Sequence, residues 1–462
     1  MRVEQQGQPR LAKALTLGAM SLGYGVVQLD VTIVNVALNS ISDSYGGAVD
    51  TLQWVVSAYT IAFAALILTA GALGDRIGAK RVFLAGFAIF TVASLGCALA
   101  PNLGSLVAAR CVQGAGAAVL VPNSLALLNH AYSDEAERRR SVAIWAAGAS
   151  LALTAGPLVG GMLIAVSGWR SIFLVNIPLG LAGLGLAWRY ASETSRTSAR
   201  SVDLRGQVIA ILALGALAAA LIEGGARGWT DPWVMGGFAL FLVLAVAFVV
   251  VERRSPSPML PLSLFEKRAF SVTSIAGLLV NTTFYGLIFV FSLYFQRANH
   301  LSALQTGLAF APMTGAVFAA NLIAARVTGL IGARLTIVIG TAVVSAGCIS
   351  LLGVTQGAAY STLCVQLIAM GAGLGLLVPP LTSALLGSVD KARSGIASGV
   401  LNAMRQTGSV LGVALFGSFI AGSSGFMVGM KVALATSAII LLVGGLAVLA
   451  GLTPSSSEPS AR

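Results

Sequence analysis

Two charged residues sit where a lipid-facing helix would carry none. The stretch VQLDVTIVNVAL, residues 27–38, places the carboxylate of Asp30 in an otherwise apolar run, and LGSLVAARCVQGAGAAVL, residues 103–120, does the same for the guanidinium of Arg110. A charge inside a membrane helix is costly, turns toward the protein interior and takes a partner of opposite sign or a polar one. Read as antiparallel helices rising 1.5 Å per residue, Asp30 lies about 12 Å and Arg110 about 10 Å below the same surface. The matched depths predict an ion pair, with Gln113, one turn beyond Arg110, adding a hydrogen bond. Asn35, in the run that carries Asp30, is grouped with Gln113 as coupling support. Two readings stay open. Asp30 is a proton switch, losing its proton toward one side and regaining it from the other while Arg110 biases the exchange; or the pair only fixes two helices.

Three further stretches carry chemistry or mechanics. AAGASLALTAGPLVGG holds Gly156, Pro157, Gly160 and Gly161, residues that allow close backbone approach and remove a backbone donor, so this helix can pack tightly and bend. The loop GALGDRIGAKR, 71–81, combines Gly71, Asp75, Arg76, Gly78 and Lys80. Asp75 there could cap a helix N-terminus or pair with an arginine in a contact that breaks as parts of the molecule separate. LNAMRQTGSVLG sets Asn402, Arg405 and Gln406 within a span, with Arg405 about 14 Å from the helix start. It either satisfies backbone carbonyls at a helix contact or faces a cavity and favours anionic or carbonyl-bearing ligands.

These residues must be held by membrane helices. Of 462 residues 57% are hydrophobic and 10% charged, against about 25% charged in a soluble protein. The net charge of +12 comes from short clusters between apolar runs, which suit an anionic cytoplasmic leaflet and not nucleic acid. Apolar runs long enough to cross about 30 Å of hydrocarbon are read at 14–38, 51–74, 82–101, 103–129, 141–165, 169–189, 206–223, 233–251, 270–295, 304–325, 335–355, 359–386, 396–420 and 430–451. The expected fold is therefore an all-α membrane protein of fourteen helices. Polar stretches at 191–206 and 251–270 divide it into a six-helix bundle over 1–200, two linking helices over 201–255 and a second six-helix bundle over 256–462. Of the 28 lysines and arginines, twenty-two fall at the termini or in loops after even-numbered spans, which places both termini in the cytoplasm. The N-terminal run is read as the first span, not a cleaved leader.

Taken together these segments resemble the major facilitator superfamily, specifically its fourteen-span drug:proton antiporters. LDVTIVNVALNSI resembles the first-helix motif, with Asn39 at its usual proline. GALGDRIGAKRVF resembles the loop signature, with Ala79 where a basic residue is common, and LVAARCVQGAGAA resembles the fourth-helix motif whose arginine, here Arg110, is implicated in proton coupling. TAGPLVGG is similar to the antiporter motif, with Ala152 at its first glycine. The resemblance to resistance transporters extends over nearly the whole chain. It implies export of small toxic or antibiotic compounds in exchange for protons across the bacterial inner membrane, by a protein that acts as a monomer; direction is not written in the fold, and a metabolite transporter is the rival reading. The lack of additional membrane carboxylates in the second half favours neutral or weakly anionic amphiphiles. No HExxH, P-loop, GxSxG or histidine cluster suggests an enzyme, and four scattered cysteines with two histidines offer no metal site, so no cofactor is expected.

Overall fold

The computed structural model describes residues 10–195, 203–256, 258–390, 394–423 and 425–452. Among these residues there are helices and no strand. The first group comprises α1 (Arg10–Tyr45), α2 (Val49–Ile77), α3 (Ala79–Ala98), α4 (Leu103–Ala131), α5 (Glu135–Ser167), the single turn α6 (Ser171–Leu174) and α7 (Asn176–Tyr190). Next come α8 (Leu204–Arg227) and α9 (Pro232–Arg254). The last group is α10 (Arg268–Leu293), extended by a π-helical turn at Tyr294–Ala298, α11 (Ala303–Ser350), α12 (Tyr360–Gly387), α13 (Ser394–Gly422) and α14 (Phe426–Gly451).

Several helix starts are written locally. Asn102 and Ser302 close capping boxes with Ser105 and Gln305, and Asp134, Asp203 and Asp231 accept backbone N–H groups at the starts of α5, α8 and α9. Each cap satisfies donors that the first turn leaves orphaned. Gly78, at φ +107°, makes the tight joint between α2 and α3, a conformation that L side chains rarely adopt.

Fourteen spans are expected from the sequence; twelve helices among the described residues are long and apolar enough to cross a bilayer. The difference lies in two places. The expected tenth and eleventh spans run together as α11, interrupted only by the non-helical Gly332 (φ 83°, ψ 159°). The expected thirteenth span is α13, whose first half carries Asn402, Arg405 and Gln406, and these lower its hydropathy. Of the basic residues used to orient the chain, Arg2, Arg196, Arg200, Lys391, Arg393 and Arg462 lie outside the described residues.

Helix α1 packs on α5 and α7, α2 on α4, and α3 on α4 and α7, whereas α10 packs on α13 and α14, and α11 on α12 and α14. Each set encloses its own apolar core, one around Phe83, Phe87, Phe90 and Phe173 and the other around Phe291, Phe295, Phe310 and Phe416. The sets meet chiefly along α2–α13 and α5–α11. Helix α8 lies over the first of these seams, touching both α2 and α13, and α9 packs chiefly on α8. The end of the molecule at which α1 begins is the near face; the opposite end is the far face.

Candidate functional site

Asp30 is fully buried in the first bundle, and so is Arg110. The Arg110 Nη1 donates to Asp30 Oδ2. Gln113 Nε2 donates to Asp30 Oδ1 at 2.9 Å, and its Oε1 accepts from Arg110 Nη1 at 2.7 Å. The predicted trio is thus assembled as the depths require. Asn176 Nδ2, from the start of α7, also reaches Asp30 Oδ1 at 3.1 Å, and Gln113 Nε2 reaches Ser94 of α3 at 2.8 Å. The guanidinium is held from α2 as well, by the Val55 carbonyl at 3.0 Å and by the face of Tyr59, 4.3 Å from the ring centroid. Five helices therefore meet in one network around Asp30. A buried pair stabilises only when its remaining hydrogen-bonding groups are satisfied as well, and here they largely are.

Asn35 does not join this network. Its side-chain amide donates to the Val31 and Thr32 carbonyls of its own helix at 3.1 and 3.4 Å, and its backbone carbonyl accepts from Ser292 of α10 at 2.5 Å. Five residues beyond Asp30 it is turned about 140° around the helix, toward the second bundle.

The Gly-Pro stretch of α5 is packed on both sides. Pro157 has no N–H for the Leu153 carbonyl, and that freed oxygen accepts from Thr32 of α1 at 2.9 Å. A Cβ on Gly156 would lie 1.9 Å from Thr32 Oγ1 and 3.2 Å from the Ile33 nitrogen, and one on Gly160 would meet Ile33 at 2.8 Å. On the other side, a Cβ on Gly161 would meet the Ala303 carbonyl at 2.6 Å, and Gly307 is pressed against the Pro157 carbonyl in the same way. The stretch is therefore packed almost without gap between α1 and α11. Gly156→Ala is expected to destabilise the protein by about 1–3 kcal/mol through overpacking and to slow transport, read as a lower Tm and a lower initial rate in vesicles. Unchanged values of both would mean that this close packing matters neither to stability nor to transport.

The contacts between bundles concentrate in the far half. Besides Ser292 on Asn35, Arg297 Nε and Nη2 donate to Asn39 and Ser42 at 3.3 and 3.0 Å. Asn39, which stands at the usual proline of its motif, thereby serves as an acceptor across the seam. Nearer the middle a cavity of about 140 Å³ opens between the bundles, lined by Tyr24 and Gln28 of α1, Thr154 of α5, and Asn281, Phe284 and Tyr285 of α10. Asn402, Arg405 and Gln406 line its other side. A second cavity of about 430 Å³, bordered by Gly71, Asp75, Asn129, Trp145 and again Asn402, lies toward the near face. Arg405 thus faces the cavity, where its Nη2 donates to Thr382 Oγ1 at 2.6 Å. No carboxylate among the described residues pairs with it. Gln28 and Asp30, two residues apart, point to opposite sides of α1, so the carboxylate lies behind the cavity wall.

The near-face loop is organised by a residue that motif spacing does not reveal. Glu193, after α7, accepts from the backbone nitrogens of Lys80 at 2.9 Å and Arg81 at 3.3 Å, so Glu193, not Asp75, caps α3. Lys80 Nζ donates to the Trp188 carbonyl at 2.8 Å. Asp75 and Arg76 are exposed at the end of α2, and Gly71 sits against Pro122 of α4. Among the described residues no group of three His, Cys, Asp or Glu side chains could hold a metal ion.

Two helical bundles enclosing a polar-lined cavity, with a buried ion pair in one of them, have the architecture of a multi-pass membrane transporter. The chain matches the Major Facilitator Superfamily over residues 20–412 and 273–462 and belongs to that family. It is 34% identical over 440 residues to a methylenomycin A resistance protein of Streptomyces coelicolor, covering 95% of this chain and 92% of that one. It is 37% identical over 407 residues to the multidrug resistance protein Stp of Mycobacterium tuberculosis, covering 88% and 76%. The crystal structure of a human organic anion transporter superposes with a TM-score of 0.66 at 16% identity, covering 96% of this chain and all of that one, which shows the shared fold.

Proposed function

We propose that this chain is a proton-driven exporter of small toxic or antibiotic compounds, working by alternating access in the bacterial inner membrane. The observation that carries the reading is the fully buried carboxylate of Asp30, held by Arg110, Gln113 and Asn176 beside a cavity that separates the two bundles. The names of the resistance relatives support export. Protonation of Asp30 neutralises the carboxylate and weakens its hold on Arg110; release of the proton on the other side restores the pair. Substrate needs only a different affinity for the two states to be driven by that cycle.

The same reading divides the chain into bundles over 1–200 and 256–462 with two linking helices over 201–255. It counts α11 as two crossings about Gly332 and α13 as a further one, giving fourteen. Both termini then lie in the cytoplasm, the near face is the cytoplasmic one, and the monomer is the working unit. Gly71, Asp75, Arg76, Gly78 and Lys80 form the gating loop on that face. Dissipation of a pH gradient in everted vesicles by particular antibiotics or amphiphiles tests the reading, with movement of the same compounds measured in vesicles of both orientations. Inward movement in intact cells would replace it with a metabolite importer.

Arg405 gives the cavity a positive pole with no carboxylate partner, so neutral and weakly anionic amphiphiles fit better than dications. Arg405→Glu is expected to reverse this, lowering the apparent affinity for an acidic member of a charged analogue pair by tenfold or more, the scale of about 1.4 kcal/mol, and raising that for the basic one. Competition assays with such pairs measure it, and equal changes for both would assign Arg405 to helix contact alone.

A further inference from the structure

A pair of acids lies away from the cavity, where the linking helices meet the first bundle. Asp203 caps α8, its Oδ1 accepting from the Gly206 nitrogen at 2.8 Å. Its Oδ2 is buried without a hydrogen-bond partner. Glu252, in the last turn of α9, is 3% exposed; its Oε2 accepts from the Leu260 nitrogen at 2.9 Å, and its Oε1 is likewise buried without a partner. Both carboxyls crowd Gly206, where a Cβ would lie 2.6 Å from Glu252 Oε1 and 3.3 Å from Asp203 Oδ1. Arg205, Arg253 and Arg254, the charged residues next in sequence, are exposed, and neither carboxyl forms an ion pair among the described residues. The neighbouring polar groups at the α8–α2 joint are engaged with one another: Gln207 Nε2 of α8 donates to the Ala65 carbonyl of α2 at 2.9 Å, and its Oε1 accepts from Thr69 of α2.

Two ionised carboxylates with dry, unpartnered oxygens would each carry a desolvation penalty and would repel one another. One proton removes both costs, because it turns one orphan oxygen into a donor and leaves the other as its acceptor. We propose that Asp203 and Glu252 share a bound proton, forming a second proton site separate from Asp30, and that this site is a pH-sensitive clip. It fastens the end of α9 and the segment around Leu260 to the start of α8, beside the place where Gln207 pins α8 to α2.

In linkage terms the folded protein binds one more proton here than the unfolded chain does, so its stability is fullest at low pH and falls as pH rises through the pair's titration. The limit for one proton is about tenfold in the folding equilibrium per pH unit. The experiment is thermal unfolding of the full chain in nanodiscs across pH, with infrared detection of the protonated carboxyl band at neutral pH. Glu252→Gln supplies a permanent donor, so the alkaline loss of stability is expected to disappear together with its share of the band. Asp203→Asn, which keeps the cap, serves if Glu252→Gln fails to fold, and Asp30→Asn is expected to retain both the slope and the band. A wild-type slope in Glu252→Gln, or in Asp203→Asn when that variant stands in for it, would overturn the proposal. So would a band independent of both residues. Stabilisation of the wild type by sodium or potassium at constant ionic strength, in place of a proton, would also overturn it.

Discussion

Asp30→Asn is expected to abolish uphill export while leaving the folded protein intact. Asparagine has nearly the shape of the carboxylic acid, and its oxygen can still accept from Gln113 or Asn176, which approach Asp30 Oδ1 at 2.9 and 3.1 Å. What it cannot do is change charge, so the protein is held in the equivalent of the proton-loaded form. Each proton moved through 100 mV supplies about 2.3 kcal/mol, equivalent to a concentration ratio of about 50-fold. The variant should lose that driving force and at most let its substrate equilibrate to equal concentrations on the two sides. In everted vesicles the measurement is drug-dependent dissipation of a pH gradient, present in the wild type and absent in the variant, with substrate binding retained. Equal dissipation in both would leave Asp30 as a structural partner of Arg110.

The pairing at the heart of this prediction was legible because charges are rare in membrane helices, and depth along a helix can be counted. Depth does not give azimuth. Asn35 was grouped with the pair because it shares the run of Asp30, yet its rotation carries it to the other bundle. Asn176 escapes the count for the complementary reason: it carries no charge to mark it within its expected span, and the break after α6 that aims it at Asp30 is not written in the hydropathy. The signal that could have found it was a polar residue inside the expected span 169–189. Glu193 lies beyond the loop motif altogether and reaches α3 only through the packing of α7 on α3. The Gly-Pro stretch was readable as tight and bendable, but that Thr32 satisfies the carbonyl released by Pro157 requires knowing which helix lies opposite. For Arg405 the sequence left two environments open, and the choice between them depends on the facing helices, whose positions the spacing of residues within α13 does not contain.

Arg110→Met is expected to be the most destabilising single change at the site. Methionine fills part of the volume but leaves Asp30 as a buried carboxylate without its cation, and breaking a buried pair from one side costs about 3–5 kcal/mol. Arg110 also bridges Val55 of α2 and the ring of Tyr59, so its loss loosens the joint between α2 and α4 as well. Arg110→Met combined with Asp30→Asn removes the unpaired charge and should recover most of the lost stability, since a buried ion pair and a neutral replacement often differ little. Transport should not recover, because the double variant has no carboxylate left in the first bundle's ion-pair site to carry the coupled proton. Thermal unfolding and vesicle transport measured over the full double-mutant cycle therefore separate the two roles. Recovery of stability without transport is the signature of a pair retained for coupling, whereas recovery of both would mean that the pair serves only to hold α1 against α4.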